Sequence, residues 1–169
     1  EHREPVQHLD AKRLHAPDGI HSVTVLVWRT AAGRWDNPRM AQAATHLAIS
    51  ARLVGAPVSI GEGTASARLV TSREMAADDR GLVHGGFVFG LADYAAMLAV
   101  NDPHVVLGAA DVRFTAPVAV GDEVLAQATV TETKGKRRVI AVSASVADRV
   151  VLEGTLTAFV LEQHVLSRG

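Results

Sequence analysis

The segment from Phe87 to Val100 constrains the fold more than any other part of this sequence. It is apolar nearly all round, and Asp93 is its only charged residue. It is shorter than the roughly 18 consecutive apolar residues that a membrane-spanning helix requires. A helix of this composition is stable in water only when it is covered on most sides. We therefore expect a buried central helix over about residues 86–100, with the rest of the fold built around it.

The segments that flank this helix have the patterns of β-strands. Four runs follow it, at residues 105–114, 122–133, 137–147 and 150–161, and apolar residues alternate clearly in the last three. Before it, residues 58–60 and 64–70 flank a glycine-containing turn and predict a hairpin. Short turns between the four later runs predict an antiparallel meander. The fold class expected is α+β, with an antiparallel sheet wrapped around one central helix.

The first part of the chain has a weaker pattern. Residues 1–37 contain one strand-like run, Val23–Trp28, among turn-forming residues, so they are interpreted as an N-terminal extension of unknown role. Residues 38–169 are expected to form the single main domain. A helix is predicted from Pro38 to Val54, ended by Gly55, and residues 75–81 are predicted to be an exposed loop.

Charge and cysteine content exclude several classes of function. The chain has 17 Lys+Arg and 18 Asp+Glu, and this balance lacks the basic excess of a general nucleic-acid binder. It has no cysteine, which excludes disulfides, zinc–thiolate sites and thiol nucleophiles. No signal-peptide pattern or membrane-spanning run is present, so the default expectation is a soluble, cytoplasmic protein without a nucleic-acid or membrane partner.

Histidines and short motifs give no support for metal or serine chemistry. Four of the eight histidines cluster near the start of the chain, at His2, His8, His15 and His21. None belongs to a His-Glu-x-x-His motif or a compact ligand pair, so no metal site is expected. The sequence also lacks Gly-x-Ser-x-Gly, which disfavours a serine hydrolase of the usual α/β type.

Asp93 is the residue whose position most needs an explanation. An isolated carboxylate in an apolar helix costs several kcal/mol unless it is solvated or paired. One interpretation is a catalytic carboxylate in a cleft. The other is a structural Asp that meets solvent or a subunit interface, or that caps a neighbouring strand. From the sequence alone both interpretations stay open.

The start of the same helix, His84-Gly85-Gly86, is the second candidate feature. Two glycines allow a ligand to approach the backbone, and the free N–H groups of a first helical turn favour negative charge. Such a turn can form an oxyanion hole for acyl transfer. The alternative is an ordinary Gly-Gly turn between a loop and a helix.

The spacing of these two features predicts a dimer. Gly85 and Asp93 are eight residues apart, which is roughly 12 Å along one helix. Both groups must approach one reacting carbonyl to about 3 Å, so one helix does not supply both. Two antiparallel helices about a two-fold axis would supply both groups to one carbonyl. Their close approach would be allowed by three small residues, Gly90, Ala92 and Ala96.

The sequence around this helix resembles a known family. The stretch Val83–Asp93 reads VHGGFVFGLAD. It is similar to the signature of hotdog-fold acyl-CoA thioesterases of the phenylacetic-acid-degradation (PaaI-like) branch, which are related to 4-hydroxybenzoyl-CoA thioesterases. The later Arg113–Pro117 and Gly121-Asp122 resemble the family's segment after the helix. The match covers about residues 54–162.

The resemblance implies a role for several residues. Asp93 would be the catalytic nucleophile or general base, Gly85 the backbone donor to the thioester carbonyl, and His84 the residue that shapes that turn. The family's Asn or Gln six positions before the histidine falls on Asp78, which cannot donate a hydrogen bond unless it is protonated. Met97 stands where some relatives have a hydroxyl. The remaining predicted substrate contacts are Gly86 and Phe87.

The function that the resemblance implies is hydrolysis of an acyl-CoA thioester by a homodimer or homotetramer. Coenzyme A is then part of the substrate, and no separate cofactor or metal is expected. Lys136 and Arg137, in a basic turn, are candidates for holding the CoA phosphates, although an ordinary solvated turn is the alternative. The main rival function is a non-catalytic acyl-CoA binding or sensing domain. A hydratase on the same fold ranks lower because its motif is missing.

Overall fold

A computed structural model describes residues 28–29, 35–36 and 41–167. The chain divides into two compact units, Glu1–Met40 and Ala41–Gly169. In the first, β1 (Trp28–Arg29) and β2 (Trp35–Asp36) pair antiparallel. The four clustered N-terminal histidines, and most of the predicted strand over 23–28, lie outside the described residues.

The second unit contains a six-stranded antiparallel sheet and one long helix. Its elements in chain order are α1 (Ala51–Val54), β3 (Ala56–Gly61), β4 (Thr64–Val70), a 3₁₀ turn (Arg73–Met75), α2 (Gly85–Val100), β5 (Val105–Phe114), β6 (Glu123–Lys134), β7 (Arg137–Val146) and β8 (Arg149–Val160). The α+β prediction, the hairpin and the central helix are confirmed. Within the described residues, no helix is long and apolar enough to cross a membrane.

The strand order differs from the predicted meander. The sheet order is β3-β4-β6-β7-β8-β5, so only β6, β7 and β8 form a meander. β5 pairs with β8 along its length and forms one edge of the sheet. The chain then crosses the sheet through residues 115–122 to place β6 beside β4. Alternating residues identify strands but not their neighbours, which is why this part of the prediction was wrong.

The core lies between α2 and the sheet. Leu91, Met97 and Leu98 of the helix are fully buried. The strands contribute small residues to the same core, and four of these alanines are at most 1% exposed: Ala67, Ala126, Ala144 and Ala158. Small side chains on the sheet allow the helix to pack closely against it, which accounts for the low aromatic content.

The segment before β3 is not the predicted helix. Only Ala51–Val54 is helical in the described part of that range, whereas residues 41–50 are irregular. Asn101, at the end of α2, forms hydrogen bonds with the backbone of this segment in place of helical ones. Its Oδ1 accepts from Ala44 N–H at 2.8 Å, and its Nδ2 donates to the Gln42 carbonyl at 3.0 Å. Leu47, which lies within the predicted helix, is 77% exposed.

The loop over residues 75–81 is also only partly as predicted. Met75 is fully buried, and its carbonyl accepts the His84 N–H at 2.9 Å. The residues from Ala77 to Arg80 are exposed. The loop is therefore fixed at its first residue to the start of α2.

Gly154 is a position at which we expect a large effect on stability. A Cβ there would overlap the Asp111 carbonyl oxygen and lie 2.7 Å from the Val112 Cα, both backbone atoms of β5. Gly154→Ala therefore requires β5 and β8 to move apart, and we expect it to lower the free energy of unfolding by about 2 kcal/mol or more.

Urea denaturation measures this effect, with Gly90→Ala as the control. A Cβ at Gly90 would lie 3.6 Å from Val54 Cγ1, an ordinary contact. The Gly90→Ala variant should keep its stability or gain up to about 1 kcal/mol, because alanine is the better helix former. Equal stabilities of the two variants would show that the close β5–β8 approach is wrong.

Candidate active site

Asp93 lies in the middle of α2 with a buried and unpaired oxygen. Its Oδ1 is inaccessible to solvent and has no hydrogen-bond partner among the described residues. Burial disfavours the charged carboxylate and raises the pKa of Asp93 to about 6. A buried carboxylate near its pKa at neutral pH can act as a base or nucleophile, and such perturbed groups are typical of catalytic sites.

The residues around Asp93 show which face of α2 it occupies. The partly or fully exposed residues of the helix after its first residue are Gly86, Phe87, Phe89, Gly90, Asp93 and Val100. Most of them follow helical spacing, so Asp93 lies on the face that the sheet leaves uncovered.

The small residues predicted for a helix–helix interface are in a different position. Ala92 and Ala96 are fully buried within the protomer, and Gly90 faces Val54 of α1. The prediction that these three residues allow the close approach of a second helix is therefore wrong for the two alanines. Their small size serves the packing of α2 within its own protomer.

The start of α2 has the geometry of an anion-binding turn. His84 is the N-cap, and its Nδ1 accepts the Gly86 N–H at 3.0 Å. This bond requires an Nδ1 without a proton. The Phe87 N–H donates to the His84 carbonyl at 3.1 Å. For the Gly85 N–H, no acceptor is found in the part of the chain that the structure describes.

A cavity of about 380 Å³ opens at Gly85. It is lined mainly by apolar side chains from the start of α2, from residues 114–118 and from β8. A Cβ at Gly85 would lie 3.0 Å from Cε1 of Phe114. The absence of a side chain at Gly85 therefore keeps its N–H close to the cavity wall without displacing that ring.

Asp78 shapes its own loop. Its Oδ1 accepts the N–H groups of Arg80 and Leu82, both at 3.0 Å. The side chain lines a second cavity, of about 510 Å³, that shares Pro117 and Val118 with the first. The acceptor role explains a carboxylate at this position, and a contact between Asp78 and substrate stays a prediction.

The other predicted contacts within the helix lie in different environments. Gly86 is exposed, and Phe87 packs edge-on against the His84 ring with 6.4 Å between centroids. Met97, one turn after Asp93, is fully buried in the core. None of these three lines the cavity at Gly85. Their contacts with substrate stay predictions.

The basic turn with Lys136 and Arg137 lies at the other end of the sheet. Arg137 pairs in the sheet with Phe159 of β8, which in turn pairs with Val106 near the start of β5. Gly85 instead lies next to Phe114, the last residue of β5. Ten residues of strand span roughly 33 Å. Lys136 Nζ lies 2.8 Å from Glu162, and Arg137 Nη1 lies 3.1 Å from Glu132. One protomer therefore does not bring this turn to the cavity at Gly85.

Apart from Gly85 and Asp78, sequence reasoning missed most of the residues that line the two cavities. The first cavity includes Val151, and the second includes Arg80 and Arg149. These residues are far apart in the sequence from the helix motif and meet it only through the strand order. The order β8–β5 was not predictable from alternation, so no signal in the sequence identified this group.

A family model matches part of the described region, and a solved structure matches most of it. The model of the fluoroacetyl-CoA-specific thioesterase FlK matches residues 96–164. The uncharacterized protein PH1136 from Pyrococcus horikoshii is 53% identical, with a TM-score of 0.75. The match covers 76% of this chain and 98% of that protein.

Curated relatives match over part of their length. A methylthioribose-1-phosphate isomerase from Aquifex aeolicus is 50% identical over 119 residues, which are 70% of this chain and 26% of that protein. The transcription factor FapR from Caldanaerobacter subterraneus is 26% identical over 87 residues, 52% of this chain and 44% of that protein. The chain thus spans about a quarter of the length of the isomerase and less than half of the length of FapR.

Solved structures identify the fold. A mutant of the phenylacetic acid degradation protein PaaI from Thermus thermophilus is 26% identical with a TM-score of 0.60, over 64% of this chain and 95% of that one. A hypothetical thioesterase from Streptococcus pneumoniae, solved with coenzyme A, is 19% identical with a TM-score of 0.58, over 64% and 87%. The chain is therefore a hotdog-fold protein of the thioesterase superfamily, and it belongs to the same family as the uncharacterized Pyrococcus horikoshii protein.

Proposed function

We propose that this protein hydrolyses acyl-CoA thioesters. The observation that carries the proposal is the half-buried Asp93 carboxylate in the middle of an apolar helix, with its Oδ1 buried and without a partner among the described residues. A structural carboxylate at such a position is normally paired or hydrogen-bonded, because an unpaired one costs stability. The match to a thioesterase family model and a neighbour of the same fold solved with coenzyme A support this substrate class.

In the proposed mechanism, Asp93 attacks the thioester carbonyl or takes a proton from the attacking water. The carbonyl oxygen gains negative charge, and the Gly85 N–H and the N-terminus of α2 stabilise that charge. The carbon–sulfur bond then breaks, and the CoA sulfur gains a proton, from protonated Asp93 when water is the nucleophile and from solvent when Asp93 is the nucleophile. In the second case water then hydrolyses the acyl–Asp93 anhydride, which releases the free acid and restores the carboxylate. No metal is required in this scheme.

The proposed site is formed by two protomers. Gly85 and Asp93 of one helix are roughly 12 Å apart, so each carbonyl would meet Gly85 of one protomer and Asp93 of its partner. Among the described strands β5 is an edge strand, and its outer edge offers a surface for pairing, because its exposed centre consists mainly of small residues, at 108–110. Antiparallel pairing of two β5 edges would place a second α2 on the same face of a continuous sheet, running in the opposite direction.

The activity should depend on pH through Asp93. The base or nucleophile is the ionised carboxylate, and burial raises its pKa to about 6. We expect kcat/KM to be constant between about pH 7 and 8 and to fall about tenfold per pH unit well below pH 6. A pH–rate profile measures this. An inflection near pH 4, the value of an ordinary Asp, would contradict the burial of the catalytic group.

The test of the proposed function is release of free thiol from a panel of acyl-CoA substrates. The panel should include aromatic, short-chain and medium-chain acyl groups, because the mainly apolar lining of the cavity does not distinguish between them. Wild-type protein should release thiol from at least one of them, and Asp93→Ala should not. Thiol release from none of the substrates would overturn the proposal.

A non-catalytic acyl-CoA-binding domain is the second candidate. The similarity to part of the transcription factor FapR favours this candidate, because a transcription factor does not need to hydrolyse a ligand. This candidate predicts acyl-CoA binding without thiol release, and binding that survives Asp93→Asn. The isomerase relative supports no separate proposal, because the match covers only about a quarter of that protein.

A further inference from the structure

We propose that Arg80 and Arg149 bind the phosphate groups of CoA in the second cavity, beside Gly81 and Leu82. The proposal rests on the proposed function, because it names where the nucleotide end of the same substrate is held. It assigns phosphate binding to this cavity and not to the basic turn with Lys136 and Arg137.

The position of the second cavity supports this assignment. It has a volume of about 510 Å³ and shares Pro117 and Val118 with the apolar cavity at Gly85. A CoA thioester has an uncharged pantetheine arm between its reacting carbonyl and its phosphates. Two adjoining cavities, one apolar and one with arginines, match the order of these groups along the substrate.

Arg149 lies at the wall that the two cavities share. Its Nη1 donates to the Pro117 carbonyl at 2.6 Å. This bond fixes the side chain at the boundary and uses one of the five guanidinium N–H donors. The remaining donors are in a planar arrangement that suits two phosphate oxygens.

Arg80 is the second cation of the cavity. Its backbone N–H is held by Asp78, whereas its exposed side chain has no partner among the described residues. Arg73 is a third cation nearby. Its Nη1 lies 4.0 Å from the position that a Cβ would take if one were added to Gly81. Three arginines therefore lie close to one short loop.

Two carboxylates also line the cavity, and both are hydrogen-bonded to the backbone. Asp78 Oδ1 accepts two N–H groups of its own loop, and Asp122 Oδ2 accepts the Ala119 N–H at 2.9 Å. Through these bonds the two carboxylates hold the backbone of the loops that form the cavity. By contrast, Lys136 and Arg137 already pair with Glu162 and Glu132, at the far end of the sheet.

The experiment compares a substrate that has phosphates with one that lacks them. For Arg80→Ala we expect KM for the best acyl-CoA to rise about tenfold, with kcat unchanged, because a charged hydrogen bond to phosphate is lost. KM for the matching acyl-pantetheine thioester should not change. Arg149→Lys keeps the charge and should have a smaller effect than Arg149→Ala.

Arg68→Ala is the matched control. Arg68 is an exposed arginine on β4 that pairs with Glu123 and lies outside both cavities. It should leave both KM values unchanged. An unchanged KM for acyl-CoA in Arg80→Ala and Arg149→Ala, or an equal rise for the pantetheine thioester, would overturn the proposed phosphate site.

Calorimetric titration with CoA separates this proposal from the proposed function. CoA should bind wild-type protein about tenfold more tightly than Arg80→Ala, whether or not any thioester is hydrolysed. Arg80-dependent CoA binding without thiol release would support the phosphate site and overturn the thioesterase proposal. Thiol release with an unchanged KM for acyl-CoA in both arginine variants would support the thioesterase proposal and overturn the phosphate site.

Discussion

Replacing Asp93 with Asn is expected to lower kcat for acyl-CoA hydrolysis by about 10³-fold and to leave KM within about threefold of wild type. The amide has nearly the shape of the carboxylate, so substrate binding is retained. It cannot attack the thioester or accept a proton from water, so the chemical step is lost. Steady-state thiol release over a range of substrate concentrations measures both constants. Near-normal turnover by this variant would show that Asp93 is not the reacting group.

The same substitution should make the protein more stable at neutral pH. The folded-state pKa of Asp93, about 6, is above its unfolded value of about 3.8, so the ionised carboxylate opposes folding. This cost is complete above pH 6 and disappears below pH 3.8. Asp93→Asn should therefore raise the free energy of unfolding at pH 8 by up to about 3 kcal/mol, and by much less at pH 4.

Urea denaturation of both proteins at the two pH values measures this difference. A variant that is inactive and more stable separates a catalytic carboxylate from a structural one. If Asp93→Asn is instead less stable than wild type at pH 8, the carboxylate has a stabilising partner, and its proposed role in catalysis loses its main support.

Replacing Gly85 with Pro should have the second largest effect, a loss of about 10²-fold to 10³-fold in kcat. Proline removes the N–H that the mechanism assigns to the oxyanion. The backbone accepts it, because proline is favoured at the first position of a helix and His84 before it is extended, with φ −62° and ψ 127°. The fold should therefore remain intact while the donor is lost.

Gly85→Ala is the control for this change. It adds a Cβ at the same place, 3.0 Å from the partly exposed Phe114 ring, but keeps the N–H. We expect its kcat to stay within about tenfold of wild type, since only a side chain that can move is displaced. If alanine and proline lower kcat equally, then steric crowding at the cavity, and not the N–H, determines the rate.

The fold was largely predictable because its elements have long and unambiguous patterns. The apolar run that contains Asp93 gave the central helix, which the structure places at Gly85–Val100. The strand-like runs gave β5 to β8 with boundaries within one residue. Periodicity is reliable for segments of this length, because burial of one face decides both the pattern and the structure.

The errors arose where distant residues decide the structure. The predicted helix before Gly55 has a suitable apolar spacing, but Asn101 binds the backbone of residues 42–44 and holds this segment in an irregular form. β5 was expected beside β6, whereas it pairs with β8. Neither contact has a signal within the segment that it affects.

The candidate site divides in the same way. Asp93 and the turn at Gly85 were identified because an isolated charge and a glycine pair are visible in the sequence itself. The cavity at Gly85 was not, because Phe114 and Val151 reach it only through the pairing of β5 with β8. The second cavity with Arg80 and Arg149 was missed for the same reason.

The central claim is that Gly85 of one protomer and Asp93 of its partner serve one thioester, and mixed dimers test it most directly. Asp93→Asn and Gly85→Pro chains, carrying different affinity tags, would be co-expressed and the mixed dimer isolated. Each variant alone lacks one group at both sites, whereas the mixed dimer has one complete site of the two. Thiol release at about half of the wild-type rate per dimer is the predicted result. A mixed dimer as inactive as its parents would contradict the claim.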